Sequence, residues 1–169
     1  VNISRFHINN TDLVRVLTDM INRNGIDPKY LELEITETLF TDNAEDLYAT
    51  MQRLKDIGFV IEMDDFGSGY SSLNMLRRAP VDIIKIDRYF IDKIMSTKRG
   101  RIIVENSVSM SRQLGLRVVA EGVETKEQLG FLRTCDCKKI QGYLFAKPMP
   151  KSEFMAICQI GRASCRERV

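Results

Sequence analysis

The stretch FVIEMDDFGSGYSS, residues 59–72, decides how this sequence is interpreted. It begins as an apolar run typical of a buried β-strand, ends on the adjacent carboxylates Asp64 and Asp65, and passes into a glycine-rich turn. Acidic residues after a strand are common in plain surface loops, so the pair by itself proves nothing. The residues at the ends of the other strands distinguish a loop from a site.

The segment YLELEIT, residues 30–36, shows the strand pattern most clearly. Apolar and polar residues alternate with a period of two, which places Leu33 and Ile35 on one face and Glu32 and Glu34 on the other. This pattern predicts a strand with a buried apolar face and a charged opposite face.

A helix is predicted directly after this strand. Asp42 and Glu45 form a capping-box pattern at its start, and Leu47, Met51 and Leu54 follow at helical spacing before Gly58. Similar signals recur: Ile103, Met110 and Leu114 indicate a long helix, and a second capping box runs from Thr125 to Gln128.

Six strands are predicted in all, each followed by a helix or helical turn. Their sequences are VNIS, YLELEIT, FVIEMD, VDIIKID, LRVVAEG and KIQGYLF. Repeated βα units predict an α/β fold with a parallel sheet and helices outside it. A (β/α)₈ barrel needs ~250 residues and eight units, so the chain would supply about six of the eight. A doubly wound open sheet is the alternative, although no GxGxxG follows a first strand.

Composition excludes several other classes of protein. The 169 residues are 44% hydrophobic, enough for one core, and the formal net charge of +2 gives no nucleic-acid footprint, so no DNA partner is expected. No apolar run reaches the ~20 residues of a membrane helix, so no membrane span is expected in this segment. The four cysteines form no CxxC zinc pair, which favours reduced thiols in a cytoplasmic domain.

The two ends of the sequence differ from its middle. The chain opens inside a strand pattern without an initiating Met, and its last ten residues read IGRASCRERV. That decapeptide resembles the translation of a sequencing-adapter read-through, and without it acidic and basic residues balance. We therefore expect residues 1–159 to be a partial domain and residues 160–169 to be a non-native tail.

Polar residues gather at the predicted strand ends. In chain order they are Asn2, Glu34, Asp64, Asp65, Lys85, Glu121 and Gln141. Parallel barrel strands bring such residues to one rim, where a cluster of carboxylates is costly unless a cation neutralises it. Oxygen ligands without His or Cys suit Mg²⁺ or Mn²⁺. Two such ions could share Asp64 and activate a water against a phosphodiester.

The motifs VNIS, LELEITET, DDFGSGYSSL, VDIIKID, VVAEGVET and QGYLFAKP, in this order and spacing, resemble the EAL domain family. The resemblance covers residue 1 to about residue 158. It implies a modified (β/α)₈ barrel and a bacterial phosphodiesterase that opens cyclic di-GMP to linear pGpG with two Mg²⁺ or Mn²⁺ ions. The DFG tripeptide also occurs in protein kinases, but their HRDxxxxN motif and Gly-rich nucleotide loop are absent.

The resemblance assigns roles to individual residues. Lys85 matches the lysine that holds the catalytic water or the scissile phosphate, and Glu121 matches a glutamate with a metal-linked or general-base role. Gln141 lines the site, and Glu37 anchors the glycine-rich loop that contains Gly67 and Gly69. The residues that match metal ligands are Asn2, Glu34, Asp64 and Asp65.

The sequence allows two interpretations of the roles of Asp87 and Glu124. Asp87 and Glu124 either support the site from behind the metal ligands, Asp87 also lining the substrate, or are acids that favour a helix start. The first strand with the Glu-Ala-Leu motif of the family is absent from the sequence, so we expect this fragment to be inactive. The alternative function is a catalytically silent receptor for cyclic di-GMP or a protein-interaction module.

The resemblance also predicts partners for the parent protein. They are a second copy in a homodimer and an upstream sensor or diguanylate cyclase domain. We expect the domain in the bacterial cytoplasm, where missing N-terminal regions could tether the parent to a membrane.

Overall fold

The computed structural model describes residues 1–10, 12–40, 44–67 and 73–166. The strands are β1 Glu32–Thr36, β2 Val60–Phe66, β3 Ile83–Ile86, β4 Arg117–Ala120 and β5 Lys139–Ile140. The α-helices are α1 Arg5–Asn10, α2 Leu13–Asn24, α3 Ala44–Ile57, α4 Leu73–Arg78, α5 Lys98–Gln113, α6 Lys126–Thr134 and α7 Lys151–Arg166. Short 3₁₀ turns lie at Pro28–Tyr30 and Glu37–Phe40, and a π-helical turn lies at Phe90–Ile94.

The five strands form one parallel sheet in the order β1-β2-β3-β4-β5, the same as their order in the chain. A doubly wound sheet would reverse its direction of growth at a switch point, so this sequential order supports the partial barrel and excludes the alternative. The predicted first strand is short: Asn2 bridges to Glu34, and the amide of Ile3 donates to the carbonyl of Glu34 over 2.8 Å.

The main core lies between the outer face of the sheet and the helices. The predicted apolar residues Leu33 and Ile35 are buried there, together with Leu47, Met51 and Leu54 from α3. Their burial confirms both the period of two in β1 and the helical spacing in α3. The start of α3 was predicted at Asp42, which lies outside the described residues.

The long helix predicted from Ile103, Met110 and Leu114 is present as α5, but not all of these residues face the core. Ile103 and Leu114 are about half exposed, whereas Val104 and Val108 are completely buried. Apolar residues occur on more than one side of α5, so spacing alone allowed several faces. Packing against β4 and the π-helical turn selects the face of Val104 and Val108.

The ends of two elements show what local sequence did and did not predict. The capping box of α6 is present, since Thr125 accepts from the amide of Gln128. The strand predicted over KIQGYLF is only two residues long, because the chain turns at Gly142. A Cβ at Gly142 would lie 2.1 Å from the carbonyl oxygen of Val123, so only glycine allows the chain to pass this close to the loop after β4.

Helix α7 continues through residues 160–166 without a break, so the boundary at residue 159 stays a prediction. Among the described residues, none of the helices combines the length and the apolar character needed to span a bilayer.

Candidate active site

The ammonium group of Lys85 lies among three carboxylates from neighbouring strands. Its Nζ atom is 3.1 Å from Oε2 of Glu34, 3.1 Å from Oδ1 of Asp64 and 3.0 Å from Oε1 of Glu121. Glu34 belongs to β1, Asp64 to β2, and Glu121 follows β4 directly. The structure therefore brings four of the predicted site residues together on the inner face of the sheet.

This cluster is mostly buried, which makes its electrostatics strong. Burial would lower the pKa of Lys85, but the hydrogen bonds that its ammonium group donates to Glu121, Asp64 and Glu34 outweigh this effect and raise the pKa. Burial raises the pKa of Glu121, and the contact with Lys85 opposes that rise. One ammonium faces three carboxylates, so the cluster keeps an excess of acidic groups that a further cation could neutralise.

A bulge in β2 lies at Asp64 and Asp65. Neighbouring residues of a regular strand point to opposite faces. Here the pairing with β3 shifts between Met63 and Phe66, and Asp65 adopts a left-handed φ of 57°. Burial raises the pKa of Asp65, and the nearby charges of Asp64 and Asp87 raise it further. Such bulges occur next to active sites, where they re-aim a side chain.

Asn2 and Gln141 lie at the two edges of the cluster. The backbone bridge to Glu34 places Asn2 beside β1. Gln141 follows β5, and its backbone carbonyl accepts from the amide of Val123 over 3.1 Å. A hollow of about 510 Å³ opens beside Glu121 and Gln141. Its further lining includes Arg88, Tyr143, Lys147 and Phe154.

Glu37 is buried in the turn after β1 and reaches the start of the glycine-rich loop. Its Oε2 atom accepts from the amide of Gly67 over 3.1 Å. Gly67 has a φ of 95°, and a Cβ there would lie 2.4 Å from the ring of Phe90, so only glycine fits. The rest of the loop, including Gly69, lies outside the described residues.

Asp87 and Glu124 occupy the turns after β3 and β4. Asp87 accepts from the amide of Tyr89 over 2.7 Å, as an acid at a helix start does, and its charge also acts on Asp65. Glu124 is paired with Arg88, with 2.9 Å between Oε1 and Nη2. Asp87 thus fits both interpretations that the sequence left open.

Two residues near the cluster, Glu62 and Arg88, were not predicted from the sequence. Glu62 lies on the inner face of β2, two residues before Asp64, and its side chain is buried. Burial is the main cause, and the charge of Glu32 the second, of a pKa of Glu62 that is raised to about 7. The alternation of residues along β2 could have predicted that Glu62 lies on the same face as Asp64. The sequence contains no comparable pattern for Arg88, because its partner Glu124 is distant in the chain.

The EAL domain family profile matches residues 1–148, and the chain belongs to that family. It is 41% identical over 150 residues to the cyclic di-GMP phosphodiesterase NbdA of Pseudomonas aeruginosa, covering 89% of this chain and 19% of NbdA. It is 37% identical over 156 residues to MucR of the same species, a bifunctional diguanylate cyclase and cyclic di-GMP phosphodiesterase, covering 92% of this chain and 23% of MucR.

Solved structures agree with this assignment. The PaMucR phosphodiesterase in complex with c-di-GMP superposes with a TM-score of 0.84 at 37% identity, covering 91% of this chain and 62% of that structure. BlrP1 of Klebsiella pneumoniae, in complex with manganese and cyclic di-GMP, has a TM-score of 0.81 at 32% identity, covering 88% of this chain and 38% of that structure. The chain therefore spans less than a quarter of the length of these curated relatives.

Proposed function

We propose that this chain is part of a phosphodiesterase domain that opens cyclic di-GMP to linear pGpG. The observation that carries the proposal is the convergence of Glu34, Asp64 and Glu121 on the ammonium group of Lys85. Membership of the EAL family and the named activities of NbdA and MucR support the same substrate. The aromatic and cationic lining of the adjacent hollow suits a nucleobase and its phosphate.

The donor atoms at this site fit hard divalent cations. Asn2, Glu34, Asp64 and Asp65 offer only oxygen ligands of the kind that Mg²⁺ and Mn²⁺ prefer. Among the described residues, no three acidic, His or Cys groups are arranged to hold a metal ion. Three of the carboxylates contact Lys85. Two bound ions would supply an activated water and neutralise the charge of the phosphodiester. The BlrP1 complex with manganese supports this choice of metal.

The chain's own residues hold and orient the substrate. Lys85 keeps its proton and donates to the water or to the scissile phosphate. Glu121, whose pKa burial raises, either takes a proton from the water or helps to hold a metal ion. Gln141 and Asp87 line the site beside it, and Glu37 fixes the glycine-rich loop through Gly67.

Two further proposals concern the extent of the protein. We propose that residues 1–159 are part of one EAL domain and that this part alone is inactive, in keeping with the five strands of the described sheet. We also propose a parent that dimerises and carries a sensor or cyclase domain; the name of MucR, a bifunctional diguanylate cyclase and phosphodiesterase, supports the cyclase domain. A cytoplasmic location stays a prediction.

The test is an Asp64→Asn variant in the longest reading frame of the source DNA that contains these residues. We expect turnover of cyclic di-GMP to pGpG that requires Mg²⁺ or Mn²⁺, and we expect the variant to lose at least about 100-fold, since a metal ligand is lost. Chromatography of the products measures both.

Asp136→Asn is the matched control, because Asp136 forms an exposed ion pair with Arg112 away from the cluster. Equal turnover in Asp64→Asn and Asp136→Asn would refute the ligand role. Binding of cyclic di-GMP without any turnover in the parent would favour the receptor function instead. Turnover by the 169-residue chain alone would refute its proposed inactivity.

A further inference from the structure

Arg88 joins two turns at the rim of the sheet. It follows β3, and its Nη2 atom lies 2.9 Å from Oε1 of Glu124 in the turn after β4. Its Nε atom donates to Oδ2 of Asp92 in the π-helical turn over 3.1 Å. One guanidinium thus holds groups from two βα connections.

Gln128 completes this arrangement from the first turn of α6. Its Oε1 atom accepts from the amides of Glu124 and Thr125 over 2.8 and 2.9 Å, and its Nε2 atom donates to Oδ1 of Asp92 over 2.7 Å. Asp92 therefore receives Arg88 on one oxygen and Gln128 on the other. We name the residues Arg88, Asp92, Glu124 and Gln128 the rim bridge.

The rim bridge lies directly on the loop that carries Glu121. Gly122 has a φ of 65°, and a Cβ there would lie 2.3 Å from Cγ of Arg88, so the arginine stem touches this backbone. On the other side, the amide of Val123 donates to the carbonyl of Gln141, and the Gly142 backbone packs closely against Val123. The loop at residues 121–125 is held between the rim bridge and the end of β5.

We propose that Arg88, Asp92 and Gln128 are positioning residues that hold this loop so that Glu121 keeps its contact with Lys85. The proposal rests on the proposed function of the same site. Exposed ion pairs stabilise a fold only slightly, so the bridge should matter little for overall stability. Displacing a reacting group by about 1 Å costs on the order of 100-fold in rate, so the bridge should matter for turnover.

Gln128→Glu is the variant that tests the bridge with the smallest change. The new carboxylate still accepts from the two amides of the helix cap, but it cannot donate to Asp92 and repels it. We expect faster hydrogen exchange of the amides in residues 121–125 in the 169-residue chain. In the full-length protein we expect kcat to fall about 10- to 100-fold, with KM and the unfolding temperature nearly unchanged.

A second substitution should repair the bridge. In Gln128→Glu combined with Asp92→Asn, the amide introduced at position 92 donates to the carboxylate at position 128 and still accepts from Arg88. We expect this double variant to recover slow exchange and most of kcat. Gln52→Glu is the matched control, because Gln52 donates to Oδ1 of Asp56 over 2.8 Å on α3, away from this loop.

The outcomes separate the bridge from the proposed function. Unchanged exchange in Gln128→Glu, or a double variant that exchanges as fast as the single one, would overturn the bridge. Faster exchange with the same kcat as Gln52→Glu would overturn its positioning role. A parent without any hydrolysis would count against the proposed function, while the exchange comparison would still decide whether the bridge holds the loop.

Discussion

The two faces of the β-sheet differ in the kind of side chain that they carry. The outer face, which packs against the helices, carries buried apolar residues along the strands, namely Leu33, Ile35, Ile61, Met63, Ile84 and Ile86. The inner face carries mostly charged residues at the alternate positions, namely Glu32, Glu34, Glu62, Asp64 and Lys85, with the apolar Ile83 and Val119 between them. Branched apolar residues usually fill the inside of a parallel barrel. Burying charged groups on this face costs desolvation free energy, so the inner face contributes less to the stability of the fold than an apolar face would.

Ile84 and Lys85 are neighbours on β3 that face opposite sides, and they provide the largest test of this difference. Ile84→Ala leaves a cavity and should cost about 3 kcal/mol of unfolding free energy. Lys85→Met leaves Glu34, Asp64 and Glu121 without their cation, which should cost about 3–5 kcal/mol. We expect Mn²⁺ to restore stability in Lys85→Met alone, because a divalent ion can replace the lost charge.

Urea unfolding with and without Mn²⁺ measures this comparison, and circular dichroism should follow it because the chain has no Trp. Two results would break the distinction between the faces. One is the same gain from Mn²⁺ in Ile84→Ala and Lys85→Met, and the other is no gain in either variant.

The outer face and the convergence of strand ends could be predicted because they follow from local periodicity. Alternation in β1 placed Leu33 and Ile35 correctly, and the parallel topology brought Glu34 close to Lys85. The catalytic roles of the site residues stay predictions. The long helix α5 was also predicted, but its buried face was not, since Ile103 is exposed and the core contact comes from Val104.

The features that could not be predicted from the sequence are those that arise only after folding. The left-handed conformation of Asp65 depends on how β2 pairs with β3, and no residue type in this segment predicts it. The contact between Arg88 and Glu124 joins positions far apart in the chain. A single sequence contains no signal for such a pair, whereas the alternation of Glu62 with Asp64 was visible and was not used.

Glu62 provides a test of the inner face through pH. Burial, with the charge of Glu32, raises its pKa to about 7, above the ordinary value of 4.5. A carboxyl group whose pKa is raised by folding favours the folded state when protonated. Its contribution is therefore complete below about pH 4.5 and is lost as the pH rises to about 7. Glu62→Gln should remove this loss and gain about 1–3 kcal/mol above pH 7.

Unfolding of the metal-free chain at pH 5 and pH 8 would measure this effect. Glu105→Gln, on the exposed side of α5, is the control and should keep the pH slope of the unsubstituted chain. A slope that persists in Glu62→Gln would show that another group on the inner face causes it.

The smallest expected effect lies in the outer layer of helices. Gly130 is exposed within α6, and a Cβ there meets no atom within 4 Å. Gly130→Ala should therefore raise the unfolding free energy by about 0.5–1 kcal/mol, because alanine favours the helix and lowers the entropy of the unfolded chain. Gly67→Ala, which meets the ring of Phe90, should lower it instead.

Mn²⁺ binding, followed by electron paramagnetic resonance, should be the same in Gly130→Ala and in the unsubstituted chain. This expectation follows because Gly130 lies on the exposed side of α6, whereas the proposed ligands lie on the inner face of the sheet. A changed Mn²⁺ affinity in Gly130→Ala would mean that the α6 helix transmits its stability to the loop of Glu121. The two faces of the sheet would then be energetically coupled, and a change in stability among the outer helices would also change metal binding on the inner face.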